Sequence, residues 1–551
     1  MPKMRKKGSV ELTGYTDDGL EPYRDEPFDP VEAESGEFHD EGYDPDKSTL
    51  HSPKSKRRGR SCCISSLLAM TVALVVLAYY RKLPTSFLTS TNGQSISQDF
   101  LLHLPSYTQE AIAKDSASPQ ANAFEWLKRH PDFNNTQIMP MWRKMQLMAL
   151  STLYYATDGN NSWHHEILWM QNDIHECDWI IYSHNRDKDA FFKVKPNCTN
   201  DGRYESLVFR SSDLQGTLPP EIALLSDSLL ALGIEHMRTM SGSLPSEIAT
   251  MTRLTSLRLN ECAFNGTIPQ ELFASSRNKN TSKALTHLVL DSNSFTGNLP
   301  TTMGELTTLE EFLMNGNHCN GTIPTQVGSM SSLKRVGFGW NQFTGSLPSE
   351  LGNLKTSLEL LLTSSNQFIG TFPSELFELT QLTLLDGKQN TFTGSFPGSG
   401  LGQLTLLEDL HMHASGIGGA LPMEIYKLSK MKRALLSNNH FTGTLPGRSL
   451  ARLSSNLAHL DVGFNAFAGT LPMEMGFMAA LTHLGLHSNM FIGLIPSELG
   501  LLTNLHSLQL YNNSLTGSLP QAICDIPGLT SLTIDCEKVL CRSTCVPCQC
   551  K

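Results

Sequence analysis

Histidine side chains are concentrated at one set of positions in the C-terminal half of the sequence, together with an arginine and an aspartate. Imidazole titrates near neutral pH and can carry a proton, pair with an acidic ligand or bind a metal. In an L-x-x-L-x-L strand pattern the third, fifth and seventh residues point away from the leucines. The polar residues at these positions are His411, His413, Arg433, His459, Asp461, His483 and His487. We expect them to line a ligand-binding face; solvated side chains on an open sheet are the alternative.

Two of these histidines, His459 and His483, hold the same position in neighbouring units. Equivalent positions on adjacent strands lie about 4.8 Å apart, so the pair is expected to be close enough to share a proton, an acidic ligand or a metal. Metal is the weaker alternative because no carboxylate or cysteine spacing reinforces it, and no metal site is predicted. Trp340, Phe464 and Tyr511 are expected on the same face, as anchors for a ligand.

Motifs for catalysis are missing from the sequence. It contains no G-x-S-x-G, H-E-x-x-H or P-loop pattern, and an open face does not enclose a water-free pocket. We therefore expect a protein that is not an enzyme and uses no cofactor. Its 43 basic and 53 acidic residues give a net charge of −10, which argues against a nucleic-acid partner.

A repeated unit must position these side chains. A tetrad of Gly, any residue, an aliphatic or Phe, and Pro occurs thirteen times from Gly216 to Gly517, usually about 24 residues apart, with one insertion near residues 274 to 283. Each unit reads L-x-x-L-x-L-x-x-N-x-F-x-G-x-L-P. The L-x-L segment predicts a short strand, and stacked units bury their leucines against one another as a solenoid that needs caps at its ends. The Asn suits a buried turn where its amide satisfies backbone groups.

This unit resembles the plant-type extracellular leucine-rich repeat of receptor kinases, receptor-like proteins and polygalacturonase inhibitors. One complete copy comprises Leu285, Leu288, Leu290, Asn293, Phe295, Gly297, Leu299 and Pro300. The resemblance covers about residues 140 to 536 and implies a right-handed α/β horseshoe with a parallel sheet on its concave side. The sequence departs from the pattern at Arg238, which stands where Asn is expected, around Gly233 and Glu235, and at Gly387, which replaces an inward leucine.

Caps are predicted at both ends of the repeats of residues 204–523. Residues 123–203 contain five of the six tryptophans and resemble the plant-type N-terminal cap, which implies a Cys177–Cys198 disulfide. Residues 524–551 carry Cys524, Cys536, Cys541, Cys545, Cys548 and Cys550. We expect three disulfides there, with zinc thiolates as the alternative; fifteen pairings are possible, and Cys524 with Cys536 resembles the bridge of a terminal cap. Cys262 and Cys319 lie too far apart to pair and are expected to be free.

One membrane span is predicted at residues 61–82, because Cys62 to Tyr80 holds nineteen residues without a charge. Basic residues before it place the N-terminus in the cytoplasm and give a single-pass, type II topology, expected at the plasma membrane. A cleaved signal peptide is the alternative. Residues 1–60 read as a disordered acidic cytoplasmic tail, and the Ser- and Thr-rich residues 83–122 as a flexible stalk.

Potential N-glycosylation sequons follow the predicted span. They begin at Asn134, Asn160, Asn197, Asn265, Asn280, Asn320 and Asn512. Together these features predict a receptor-like membrane protein that binds an extracellular protein, peptide or glycan and signals through a co-receptor or a cytoplasmic adaptor. A structural or adhesive surface protein and a secreted inhibitor of polysaccharide-degrading enzymes remain the alternatives.

Overall fold

The computed structural model describes residues 94–163, 169–185, 190–212, 214–274, 285–453, 455–541, 545 and 548–551. The predicted tail, the predicted membrane span and the sequon at Asn280 lie outside these residues. Within them, no helix has both the length and the apolar character needed to cross a bilayer.

Helices dominate the N-terminal part of the described chain, and very short ones recur later between the strands. The α-helices are α1 (Gln94–His103), α2 (Ser106–Lys114), α3 (Pro119–Lys128), α4 (Met141–Ala156), α5 (Gly398–Leu401), α6 (Gly447–Leu450) and α7 (Gln521–Cys524). The 3-10 helices are Glu176–Asp178, Pro220–Leu225, Ser246–Thr250, Gln270–Leu272, Thr301–Glu305, Thr325–Ser329, Ser349–Leu354, Ser374–Glu378, Met423–Lys427, Ala451–Leu453, Met473–Phe477 and Ser497–Leu501.

The stalk prediction is wrong from residue 94 onward. Helices α1 to α3 occupy most of this segment, and Phe100 and Leu104 are buried in the core. Thr108 of α2 donates a hydrogen bond to the buried Glu221 carboxylate at 2.7 Å, which ties the helix to the first repeat. The Ser and Thr content hid a few large apolar residues at helical spacing, and those residues are sufficient to fix this segment on the cap.

The main sheet contains sixteen strands in the described part of the chain. They are β3 (Asn197–Cys198), β4 (Tyr204–Arg210), β6 (Ala231–Glu235), β8 (Ser256–Arg258), β10 (His287–Val289), β12 (Glu311–Leu313), β14 (Arg335–Gly337), β16 (Leu360–Leu362), β18 (Leu384–Asp386), β20 (Asp409–His411), β22 (Arg433–Leu435), β24 (His459–Asp461), β26 (His483–Gly485), β28 (Ser507–Gln509), β30 (Ser531–Ile534) and β32 (Cys548–Cys550). All pairings are parallel except β3 with β4, which confirms the repeat solenoid. We call the outward surface of this sheet the strand face.

The remaining strands form two side sheets and one hairpin. The hairpin is β1 (Ile181–Asn185) with β2 (Ala190–Val194). The side strands are β5 (Gly216–Thr217), β7 (Met240–Ser243), β9 (Ala263–Thr267), β11 (Ser294–Asn298), β13 (His318–Gly321), β15 (Gln342–Gly345), β17 (Gln367–Thr371), β19 (Thr391–Thr393), β21 (Gly418–Ala420), β23 (His440–Gly443), β25 (Ala466–Thr470), β27 (Met490–Leu494), β29 (Ser514–Ser518) and β31 (Val539–Leu540).

Asparagines, most of them buried, join successive repeats at the turn after nine of the main strands. Asn341 donates through Nδ2 to the carbonyls of Met314, Phe338 and Gly339 at 2.9 to 3.2 Å and accepts from the Cys319 amide at 3.0 Å. The residue before the asparagine has a positive φ in repeat after repeat. One amide therefore satisfies backbone groups that water does not reach.

The positions that depart from the repeat pattern keep the sheet intact. Met237, and not Arg238, holds the turn position that asparagine occupies in other repeats, which we call the ladder position. It follows His236, whose φ is +59°, and it is buried, whereas Arg238 is exposed. Strand β6 pairs with β4 over five residues without a break. Beside Gly387 the Met412 side chain takes the space of the missing leucine.

Disulfides close both ends of the solenoid. Cys177 pairs with Cys198, as predicted. The three predicted C-terminal disulfides are present, but Cys524 with Cys536 is wrong: the pairs are Cys524–Cys545, Cys536–Cys550 and Cys541–Cys548. Cys536 closely follows main strand β30 and pairs instead with Cys550 of the neighbouring strand β32. Cys262 and Cys319 are free and buried, as expected.

Candidate functional site

The strand face collects side chains of one register from successive repeats. Arg433, His459, His483 and Ser507 are direct neighbours across β22, β24, β26 and β28. Each of these residues begins its three-residue strand and holds the third position of its repeat. Parallel pairing of the strands aligns these equivalent positions. The predicted juxtaposition of His459 and His483 is therefore present.

Three imidazoles stack along this face. The rings of His459 and His483 are 4.7 Å apart and nearly parallel, and His506 lies 6.5 Å beyond His483. Stacking sets ring faces, and not ring nitrogens, against each other, so this geometry does not favour a shared proton or metal. Burial, followed by the positive charge of His506, lowers the pKa of His483. The described residues contain no group of three or more His, Cys, Asp or Glu placed to hold a metal ion.

The other predicted polar residues differ in accessibility. His411 and His487 are buried, while His413 and Asp461 are partly exposed. Arg433 makes two hydrogen bonds to the Asp409 carboxylate, at 2.6 and 3.0 Å. Its charge is thus largely balanced within the protein. Sequence spacing placed these residues in the right register but did not show which of them were already covered or paired.

An ion cluster on the same face was missed from the sequence. The buried Glu311 carboxylate lies 3.0 Å from Arg258 and 2.8 Å from Arg335. The charge of this carboxylate is therefore balanced by two guanidinium groups within the protein. Opposite charges at the third and fifth positions of nearby repeats were the available signal.

We expect the Asp291 carboxyl to make the free energy of unfolding depend on pH. Burial raises the pKa of its carboxyl to about 6, although hydrogen bonds from Asn315 lower it. The folded state therefore holds the proton more tightly than the unfolded state, so this contribution to stability is complete below about pH 4 and is lost as the pH rises through 6. Asp291→Asn should raise the free energy of unfolding by up to about 3 kcal/mol at pH 7.5 and leave it nearly unchanged at pH 4.

The measurement for this variant is denaturant unfolding at the two pH values. The Asn side chain keeps an oxygen that can accept from the Asn315 amide, now 2.6 Å from the Asp291 carboxylate, so the comparison isolates the charge. A variant that is less stable than the natural protein at pH 7.5 would show that the ionised carboxylate stabilises the fold.

The predicted aromatic anchors occupy two kinds of position. Tyr511 lies at the seventh position of its repeat, as expected, but Trp340 and Phe464 lie one residue later, in the turn, with φ of +54° and +48°. Their side chains are 50% and 53% exposed. Gly316 and Asn438 hold the same turn position in other repeats. Bulky residues are disfavoured in this backbone region, so the two aromatics are not explained by the needs of the turn.

The sequon asparagines in the described residues are all exposed. They are Asn134, Asn160, Asn197, Asn265, Asn320 and Asn512. The buried ladder asparagines carry no sequon because the unit places Phe or another apolar residue two positions later. Glycosylation at the exposed sites stays a prediction.

Comparison with known proteins supports the fold. The Leucine Rich Repeat family model matches residues 504–526, and no curated protein matches the sequence significantly. The PEPR1–AtPEP1 crystal structure matches at 31% identity and a TM-score of 0.56, over 61% of this chain and 47% of that one. The Arabidopsis receptor kinase HAESA ectodomain, solved with an IDA peptide hormone ligand, matches at 25% identity and 0.55, over 68% and 67%. The plant peptide hormone receptor RGFR1 with RGF2 matches at 26% and 0.52, over 62% and 60%.

Proposed function

We propose that this chain, whose fold is similar to the leucine-rich-repeat ectodomains of plant receptors, is a membrane-anchored, receptor-like protein that binds an extracellular peptide on its strand face. The ligands in the PEPR1, HAESA and RGFR1 structures motivate the choice of a peptide. The repeats would act as a rigid scaffold, and any signal would pass through a co-receptor or a cytoplasmic adaptor. Recognition, and not catalysis, is the proposed activity.

The observation that carries this proposal is the spacing of the two exposed turn aromatics. Trp340 and Phe464 are five repeats apart, or about 24 Å at 4.8 Å for each strand. An extended peptide of about seven residues spans that distance. Between them the partly exposed His413 and His459 offer polar contacts. Aromatic anchors at both ends with polar groups between them suit an extended chain.

Peptide selection tests the binding proposal. A displayed library of twelve-residue peptides is selected on the full chain in detergent micelles, and the affinities of the enriched peptides are measured against His459→Ala, the His459→Ala/His483→Ala double variant and a Phe477→Asn control. Phe477 is 54% exposed on a 3-10 helix outside the sheets. We expect at least tenfold weaker binding to the double variant and no change for the control. Equal affinities for all variants would contradict the proposal.

A separate experiment tests the receptor part. Protease protection of tags at the two ends of the full chain in intact cells should show a protected N-terminus and an accessible C-terminus. Deletion of residues 1–53 should abolish a peptide-dependent response while peptide binding persists. A protein that keeps its cell attachment and shows no response in either form would instead be adhesive, and a mature chain lacking the N-terminal segment would indicate the secreted alternative.

A further inference from the structure

A second cluster lies at the C-terminal end of the strand face, where the His487 ring contacts the rings of Phe464 and Tyr511 from the two adjoining repeats. The His487 ring stacks on Tyr511 with centroids 4.8 Å apart and meets Phe464 edge to face at 5.0 Å. Phe464 is half exposed and Tyr511 partly exposed. The three rings thus form a continuous aromatic surface that is open to solvent at Phe464.

Two glycines make room for this arrangement. A β-carbon at Gly463 would collide with the His487 ring, and one at Gly485 would collide with the Asp461 carboxylate. His487 therefore lies over the preceding repeat, and Asp461 lies over the following one. The described hydrogen bonds of the Asp461 side chain use Oδ1, which accepts from the Gly463 amide at 2.9 Å. Oδ2 is left for another donor.

His487 contributes a polar atom that lacks a partner. Its side chain is 7% exposed, and Nδ1 has no hydrogen-bond partner among the described residues. Buried polar atoms are nearly always paired, so this atom is a hydrogen-bonding group that the described residues leave unsatisfied. Burial lowers the pKa of His487, which favours the neutral ring and leaves one nitrogen able to accept a hydrogen bond.

The protein places one of its own cations at this cluster. The Lys551 ammonium lies 5.6 Å from the centre of the Tyr511 ring, within the range of a cation–π contact. The backbone of Lys551 is held nearby in two ways. Its amide donates to the Ile534 carbonyl at 3.1 Å, and the neighbouring Cys550 forms a disulfide with Cys536. The surface therefore already accepts a positive charge.

We propose that Asp461, Phe464, His487 and Tyr511 form a subsite for an arginine side chain of the ligand, and that Lys551 occupies it in the ligand-free protein. A guanidinium stacks on aromatic faces and carries several N–H donors, one of which matches Asp461 Oδ2. An ammonium group makes the cation–π contact but lacks the planar fork, so arginine displaces Lys551. This inference rests on the proposed function and specifies the chemistry of one end of its ligand.

The test uses small probes that do not require the natural ligand. N-acetyl-arginine amide, its neutral analogue N-acetyl-citrulline amide and the acidic N-acetyl-aspartate amide are titrated into the full chain in micelles, with 3-fluorotyrosine at position 511 as the reporter by fluorine NMR. We expect saturable shifts with the arginine probe only. Lys551→Gln should tighten this binding at least threefold by vacating the subsite, and Asp461→Asn should weaken it at least tenfold.

The matched control is Lys538→Gln, which removes a nearby cation whose Nζ donates to the Asn513 carbonyl at 2.7 Å. It should leave arginine binding unchanged, and thermal unfolding checks that every variant is folded.

Equal binding by Asp461→Asn and the natural protein would overturn the inference. Binding of the aspartate probe that is lost in Lys551→Gln would also overturn it, because Lys551 would then be a ligand contact. Selected peptides that bind the strand face while the arginine probe fails would refute only this subsite, and not the proposed function.

Discussion

Asn341→Ala should lower the free energy of unfolding of the repeat region by about 3 kcal/mol. The natural side chain donates to the Met314, Phe338 and Gly339 carbonyls and accepts from the Cys319 amide. Alanine removes all of these bonds and leaves buried backbone groups unsatisfied, at a cost of about 1–3 kcal/mol for a buried group that loses its partner. Denaturant unfolding measures the loss, and hydrogen exchange should show faster opening at the Cys319 amide.

Asn504→Ala is the matched control for this prediction. Asn504 is exposed, and its side chain donates from Nδ2 to the Ala479 carbonyl at 2.8 Å. Surface substitutions of this kind change stability by about 0.5 kcal/mol or less. Similar losses for the two variants would mean that the ladder asparagines are not what joins the repeats. Because a solenoid can unfold in parts, local exchange rates and the global transition should be compared in the same samples.

Trp340→Asn should separate binding from stability. The natural residue holds a φ of +54°, which is disfavoured for a bulky side chain by about 1–2 kcal/mol and which asparagine tolerates better. Asparagine therefore relieves backbone strain, but loss of the half-buried ring removes apolar contacts. The two effects oppose each other, so the net change in unfolding free energy should stay within about 1 kcal/mol. Binding of peptides selected on the natural protein should weaken by more than tenfold, since aromatic anchors dominate interfaces.

Phe477→Asn provides the comparison for Trp340→Asn, because Phe477 is equally exposed but lies on the 3-10 helix Met473–Phe477. It should leave peptide binding unchanged. Titration calorimetry measures the affinities, and thermal unfolding measures the stabilities. Full retention of binding by Trp340→Asn would remove this residue from the proposed ligand path, while a large loss of stability would show that the ring supports the fold.

The sequence by itself determined the repeat, the strand face and the register of the residues on it. A period of about 24 residues fixes where each strand begins, and alternation along a strand then decides which side chains point outward. His459 and His483 are neighbours for this reason. The N-terminal disulfide followed from resemblance to a known cap, whereas no local pattern distinguished among the pairings of the last six cysteines.

Only the tertiary structure decided which outward residues are free to meet a ligand. Side chains reach across strands, so the state of each depends on its neighbours: Asp409 pairs with Arg433, and the space above Gly463 lets His487 fold beneath Phe464. The N-terminal helices are a similar case, because burial against the first repeat, and not composition, orders residues that resemble a linker. Spacing along the chain fixes a position in the sheet, but the contacts between repeats determine what that position can bind.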